Sequence, residues 1–277
     1  MGALEGKVAF ITGAGRGQGR SHSVRLAQEG ADIIAVDVCA PIPTAPYSMS
    51  ATEDLDETVR LVEETGRQIV AMEADVRDLG ALQKAVDAGV AEFGRVDIVL
   101  ANAGIAHYAA APDLAAAEWT ELIDIDLNGV WWTIKAALPQ LIEGGRGGSI
   151  VITSSVAGLR GLVNCVHYVT AKHGLVGMMK ALALELGKFD IRVNTLHPNS
   201  VNTGMLQNPA TYELFLPGRE NPSHEDFERV NRMLNVLPTA WAEPGDISDA
   251  VVFLVSDAGR NVTGAAFPVD AGGSVRW

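Results

Sequence analysis

Tyr168 and Lys172 stand four residues apart in the stretch HYVTAKHG. On a helix that spacing puts both side chains on one face. A free phenol titrates near pH 10, about three units too high for a base near neutrality. A neighbouring ammonium favours the phenolate, so the pair reads as a tuned general acid/base. Taken alone, it reads equally well as a surface tyrosine and a surface lysine one turn apart. Ser155 ends an apolar run in ITSSVAG, upstream of Tyr168. Its hydroxyl there can hold a substrate oxygen beside the phenol. Asn128 sits in IDIDLNGVWW, within a helical pattern where asparagine is a poor helix former. Either it holds a water that feeds protons through Lys172, or it marks a kink.

A second constellation suits a dinucleotide. TGAGRGQG follows the first apolar run and opens a helix, with Gly13, Gly15, Gly17 and Gly19 in the turn. Such a turn lets the backbone approach a pyrophosphate, and a helix N-terminus favours the anion. The spacing is not G-x-G-x-x-G, and a lone glycine motif is also an ordinary strand-to-helix turn. Context decides for the cofactor, because the next apolar run, ADIIAVD, closes on Asp37. An acid about 20 residues past the glycines accepts hydrogen bonds from the adenosine ribose and repels a 2′-phosphate. NAD is therefore expected over NADP, although Arg16 in the turn could pair with that phosphate. The nicotinamide ring of NAD+ would add its positive charge to that of Lys172 beside the phenol. Asp75 and Val76 end a third run, where an acid can meet the adenine amino group. Asn102, Ala103 and Gly104 end a fourth, small enough for a ribose to pass.

These residues need strand ends gathered on one side of a sheet. KVAFITG, ADIIAVD, QIVAMEADV, VDIVLANAG, GSIVITSSV, IRVNTLHP and AAFPVDAG read as short strands. Helical patterns lie between them at 52–65, 79–93, 118–143, 168–188 and 247–256. Buried strands alternating with helices predict an α/β fold, a single-domain Rossmann-type doubly wound sandwich over 1–277. It should hold about seven parallel strands with helices on both faces. Residues 204–240 break the alternation and read as a helical excursion, a candidate substrate lid. The chain has 21 Lys plus Arg against 34 Asp plus Glu. That balance argues against nucleic acid and anionic membranes as partners. No apolar run reaches membrane-spanning length, and no signal peptide is read. Cys39 and Cys165 show no metal spacing and read as reduced thiols of a cytoplasmic protein.

Together TGAGRGQG, NAG, Asn128, Ser155 and YVTAK resemble the short-chain dehydrogenase/reductase family, in order and spacing over nearly the whole chain. The resemblance implies a catalytic tetrad of Asn128, Ser155, Tyr168 and Lys172. It implies hydride transfer between the nicotinamide and a carbonyl or alcohol carbon, with Lys172 also on the nicotinamide ribose. It places Gly13, Arg16, Gly17, Gln18 and Gly19 on the cofactor, with Asp37, Val38, Asp75, Val76, Asn102, Ala103 and Gly104. In HPNSVNTGM it assigns Pro198, Val201 and Thr203 to the nicotinamide end. Asn199 stands where the family has glycine. Asparagine tolerates left-handed backbone, so the bend is expected to survive. The family often forms homotetramers, here through 118–143, which carries Trp131 and Trp132, and 168–188. The alternative is that those faces only bury against the sheet.

One stretch departs from the ordinary pattern. VCAPIPTAPYSMSA, residues 38–51, connects a strand to a helix that usually follows within about 2–6 residues. Pro41, Pro43 and Pro46 stiffen it, and Ser50 with Glu53 reads as a capping box for the next helix. This insertion, with GRGQGR and VDVCAP, resembles the carveol-dehydrogenase-like subgroup linked to the redox peptide cofactor mycofactocin. It begins at the adenosine end and is expected to act as a lid that makes NAD slow to leave. The alternative is a surface loop or a subunit contact. The apolar residues of 156–165, with Met205, Leu206, Phe215 and Leu216, suggest a hydrophobic secondary alcohol or ketone, of terpenoid kind. Competing readings are an NADPH ketoreductase acting on acyl thioesters, disfavoured by Asp37, and a non-catalytic NAD-binding sensor.

Overall fold

Seven short strands pair side by side, all in parallel, in the order β3-β2-β1-β4-β5-β6-β7. The computed structural model describes residues 2–276. In chain order β1 (Val8–Thr12) leads to α1 (Gly17–Gln28), β2 (Asp32–Asp37) to α2 (Thr52–Glu63), and β3 (Ile69–Glu73) to α3 (Leu79–Phe93). Next come β4 (Ile98–Ala101), α4 (Ala116–Ile123), a π-turn (Asp124–Asn128) and α5 (Gly129–Gly144). Then follow β5 (Gly148–Thr153), α6 (Val166–Leu186), β6 (Ile191–Pro198), α7 (Pro209–Phe215), α8 (His224–Leu234), α9 (Pro244–Val255) and β7 (Ala266–Val269). The doubly wound sandwich expected from the sequence is the fold observed.

The strands read as continuous apolar runs because both faces of the sheet are covered. Side chains alternate across β1: Val8 and Phe10 join one core with α3, α5 and α6, while Ala9 and Ile11 join the other with α1, α2 and α9. Helix α3 lies so close to β2 that Gly89 has room for no Cβ, since one would fall 2.2 Å from Ile34 Cδ1. The strand order reverses between β1 and β4. The connections leaving these two strands turn opposite ways, which opens a crevice at their carboxyl ends.

Three local expectations change. The helix read over 118–143 is interrupted by the π-turn, so α4 and α5 are separate pieces. A π-turn inserts one extra residue and re-aims the side chains around it. The capping box of α2 is shifted by one residue: Asp54 accepts from the Ala51 N–H at 3.0 Å, and Ser50 is engaged elsewhere. Asn199 is not left-handed; its side chain instead donates to Asn235 Oδ1 at 2.9 Å. The turn after β6 is therefore held by a side-chain bond where a positive φ was expected. Among the described residues, no helix is long and apolar enough to cross a membrane.

Candidate active site

The crevice begins in the glycine turn. Gly13 has φ +69°, and a Cβ on Gly19 would stand 1.9 Å from the Gly13 carbonyl oxygen. The turn between β1 and α1 closes this tightly only with glycine at both places. The residue preceding α1, Arg16, makes no side-chain cap, so the first-turn N–H groups are left for a ligand. Gln18 Oε1 is buried there without a hydrogen-bond partner. Together these features fit a dinucleotide's phosphates. A cavity of about 330 Å3 runs from this turn past Asp37 and Val38, then Asp75 and Val76, to Asn102, Ala103 and Gly104.

Asp37 is buried and already has three protein donors. Gly15 N–H donates to Oδ2 at 2.8 Å, Cys39 N–H to Oδ1 at 3.3 Å, and the Ser50 hydroxyl to Oδ1. A carboxylate has about four acceptor sites, so room for a ribose hydroxyl remains. Asp75 is partly desolvated, but Arg77 chelates it at 2.6–3.0 Å and holds its carboxyl below the usual range. Its lone pairs are therefore shared with Arg77.

The 38–51 insertion folds inward. Ile42 is buried with the α3, α5 and α6 core, and Ala45 and Met49 pack against it. The Arg16 guanidinium donates to the Ser48 carbonyl and lies 5.5 Å from the Tyr47 ring centroid. The Tyr47 hydroxyl accepts from the Ala106 N–H, beyond β4, at 2.9 Å. Arg16 is thus a clasp on the insertion.

The chemical end lies at the ends of β5 and β6. Asn102 ties three strands together: its amide group donates to the Thr12 carbonyl at 3.0 Å, and its Oδ1 accepts from Thr153 Oγ1 at 3.3 Å. Its backbone N–H donates to Thr12 Oγ1 at 3.1 Å. Ser155 and Tyr168 face a second cavity of about 160 Å3, which shares Gln18, Asn102 and Gly104 with the first. Val156, Leu162, Leu206, Leu214 and Phe215 make most of its wall apolar. Pro198 and Val201 border it, and Thr203 borders both cavities. Helix α7 contributes Thr211, Leu214 and Phe215 to the wall, and α8 packs against α7. Tyr212, Phe215 and Trp241 gather around the fully buried Phe227, with ring centroids 4.6–6.3 Å from it.

Lys172 is buried, with Nζ 5.4 Å from the Tyr168 ring centroid, and donates to the Thr153 carbonyl at 3.2 Å. Its charged partner is Asp126, whose Oδ2 lies 3.1 Å from Nζ. Asn128 does not join the site. It is exposed at the end of the π-turn and donates to Asp124 Oδ1 at 2.9 Å. Burial pushes the Tyr168 phenol up, and the Asp126 charge pushes it further, against hydrogen bonding to Ser155. The pull of the Lys172 ammonium towards phenolate, expected from the sequence, is therefore opposed here by burial and by Asp126. Two further residues went unread in the sequence. Tyr108 reaches Thr211 on α7 at 3.3 Å, and Tyr47 anchors the insertion. Asp126 had a signal: it continues the stripe Leu122, Val130, Ile134, all buried, where an acid is out of place.

A family model for short chain dehydrogenases matches residues 7–213. The chain is 51% identical over 277 residues to the (-)-trans-carveol dehydrogenase of Rhodococcus erythropolis, covering 100% of both. It superposes with TM-score 0.98 on the crystal structure of carveol dehydrogenase from Mycobacterium avium in complex with NAD, at 51% identity and 100% coverage of both. A short chain dehydrogenase from Mycobacterium paratuberculosis bound to NAD matches at TM-score 0.91 and 47% identity, covering 99% of this chain and 100% of that one.

The anchored insertion makes a prediction. Tyr47→Phe removes the acceptor of the Ala106 N–H, at a cost of about 1–3 kcal/mol locally. Hydrogen–deuterium exchange of peptides covering 38–51 and Ala106 should speed up, while the β1 and β4 peptides stay protected. Unchanged exchange in both segments contradicts the anchoring.

Proposed function

The chain belongs to the short-chain dehydrogenase/reductase family, and we propose that it is a cytoplasmic NAD-dependent dehydrogenase of hydrophobic secondary alcohols and their ketones, carveol-like terpenoids among them. The observation that carries this is the adjacency of two cavities that share Gln18, Asn102, Gly104 and Thr203: a cleft along the glycine turn and Asp37, and an apolar pocket with Ser155, Tyr168 and Lys172 in its wall. The relatives bound to NAD support the cofactor, and the relative acting on carveol supports the substrate class.

Bound NAD supplies the acceptor of a hydride in oxidation and its donor in reduction. The chain does the rest. Gly13, Gly17 and Gly19 with the first turn of α1 receive the pyrophosphate. Asp37 receives the adenosine ribose and rejects a 2′-phosphate, because another anion beside a buried carboxylate is strongly disfavoured. Ser155 holds the substrate oxygen. Tyr168 takes the hydroxyl proton during oxidation and returns one during reduction. Lys172 orients the ribose and stands beside the phenol, paired with Asp126. Pro198, Val201 and Thr203 flank the nicotinamide. The 204–240 excursion closes the apolar pocket over the substrate.

The insertion supports a second element of the proposal. It is pinned by Arg16, by the Ala106 N–H and by Asp37, so NAD release requires breaking several contacts together. The pinned insertion would hold NAD on the protein between turnovers, with mycofactocin as the external electron acceptor. A homotetramer assembled through α4, α5 and α6 completes the reading. Apolar residues left exposed on α4 and α6, Trp119, Val166 and Leu184, support it.

Three measurements test these statements. Tyr168→Phe should lower kcat for alcohol oxidation by about 10²–10⁴-fold with NAD binding intact; near wild-type turnover refutes the assignment. Protein purified without added NAD and then denatured should release close to one NAD per chain, and should oxidise alcohols faster with an artificial acceptor than with free NAD+. An NAD-free preparation, or brisk turnover through free NAD+, refutes retention. Light scattering should give the mass of four chains.

A further inference from the structure

Asp126 is the most enclosed acid near the chemistry. It is 0% exposed, with Oδ1 accepting the Ile105 N–H at 2.8 Å and Oδ2 lying 3.1 Å from Lys172 Nζ. The π-turn delivers it, and Gly104 leaves space for it: a Cβ there would lie 3.1 Å from Oδ2. The Lys172 ammonium is thus clamped between a carboxylate and the Thr153 carbonyl while facing the Tyr168 ring. A lone cation there would favour phenolate. A cation paired with a carboxylate presents a dipole, and its field at the phenol is largely cancelled.

We propose that Asp126 is a positioning residue of the reaction: it fixes the Lys172 ammonium beside Tyr168 and offsets its charge, so that the phenol gives up its proton only in alkaline solution. This rests on the alcohol-dehydrogenase reading given above. The other titratable groups around the pair stay neutral near pH 7. Burial pushes the Tyr47 and Tyr108 phenols up and the Cys165 thiol up to about 11. Burial also lowers His197, which donates from Nδ1 to the Ser155 carbonyl at 2.6 Å. Burial raises the Asp126 carboxyl, and Lys172 and the Ile105 N–H oppose that. The sign follows. Oxidation needs phenolate, so its rate rises with pH through the apparent pKa of Tyr168. A negative Asp126 moves that rise to higher pH.

The test is kcat for alcohol oxidation from about pH 6 to 10 in the wild-type holoenzyme and in Asp126→Asn, with Tyr168→Phe as reference. The amide keeps the shape and removes the charge. The rising limb of Asp126→Asn should move at least about one unit towards acid, with roughly tenfold higher relative rate on the acid side. Superimposable profiles, or a shift towards alkali, overturn the proposal, because a purely structural role changes rate and stability without moving the profile in this direction. If Asp126→Asn fails to fold, the wild-type profile decides: a limb still rising above pH 8 supports the proposal, and a plateau reached by about pH 7 overturns it. Loss of activity in Tyr168→Phe with superimposable Asp126 profiles removes only this inference; activity retained in Tyr168→Phe removes the underlying reading as well.

Discussion

The site depends on one constraint: three parallel strands must end together where the sheet changes direction. Asn102 enforces this. It bonds to both the carbonyl and the hydroxyl of Thr12 on β1 and accepts from Thr153 on β5, while following directly from β4. Each bond contributes about 1 kcal/mol net, but leaving such buried partners unmade costs more than that. The glycine turn hangs from the end of β1, Gly104 and the Ile105 N–H from the end of β4, and Ser155 from the end of β5. A slip of one strand would separate the phosphate end from the chemical end. Small residues at this junction then do the fine placement. Gly13 leaves room for Ala103, and Gly104 leaves room for Asp126.

Asp37 shows how a local anomaly becomes part of this frame. It gathers a donor from the glycine turn, one from the residue after the strand, and one from Ser50 at the far end of the insertion. A buried carboxylate is stable only when so paired. The long connection therefore closes on itself around the acid at its own root. Arg16 and Tyr47 then fasten its middle to the glycine turn and to the loop after β4. The prolines limit the unfolded alternatives, but the tertiary bonds place the segment.

Much of this was legible in the residues. Apolar runs set the strands because a two-faced parallel sheet demands them, and helix 79–93 matched to the residue, with Asp78 capping its start and Gly94 its end. The glycine turn, Asp37 and the Tyr168–Lys172 pair were readable because their chemistry is local: one turn, one strand end, one helix face. What failed was non-local. Ser50 had the spacing of a capping box, but its hydroxyl donates to Asp37 instead of accepting the Glu53 N–H. Asn128 lay in the expected segment, yet the π-turn rotates it to the surface and turns Asp126 inward. An extra residue in a helical turn leaves no mark in composition. The mark lay in an acid on an apolar stripe, which a reading for polar function in exposed positions passes over.

Charge balance at the chemical end follows from that rotation. At an effective dielectric near 20, a lone ammonium about 5 Å away would favour phenolate by roughly 3 kcal/mol. With Asp126 against it, most of that is returned, and burial opposes the phenolate further. Both effects favour the neutral form of Tyr168. Any net push towards phenolate must then come from positive charge brought in with the cofactor. Under the proposed function, the pinned insertion and the Asp126–Lys172 pair thus bear on opposite ends of one cofactor.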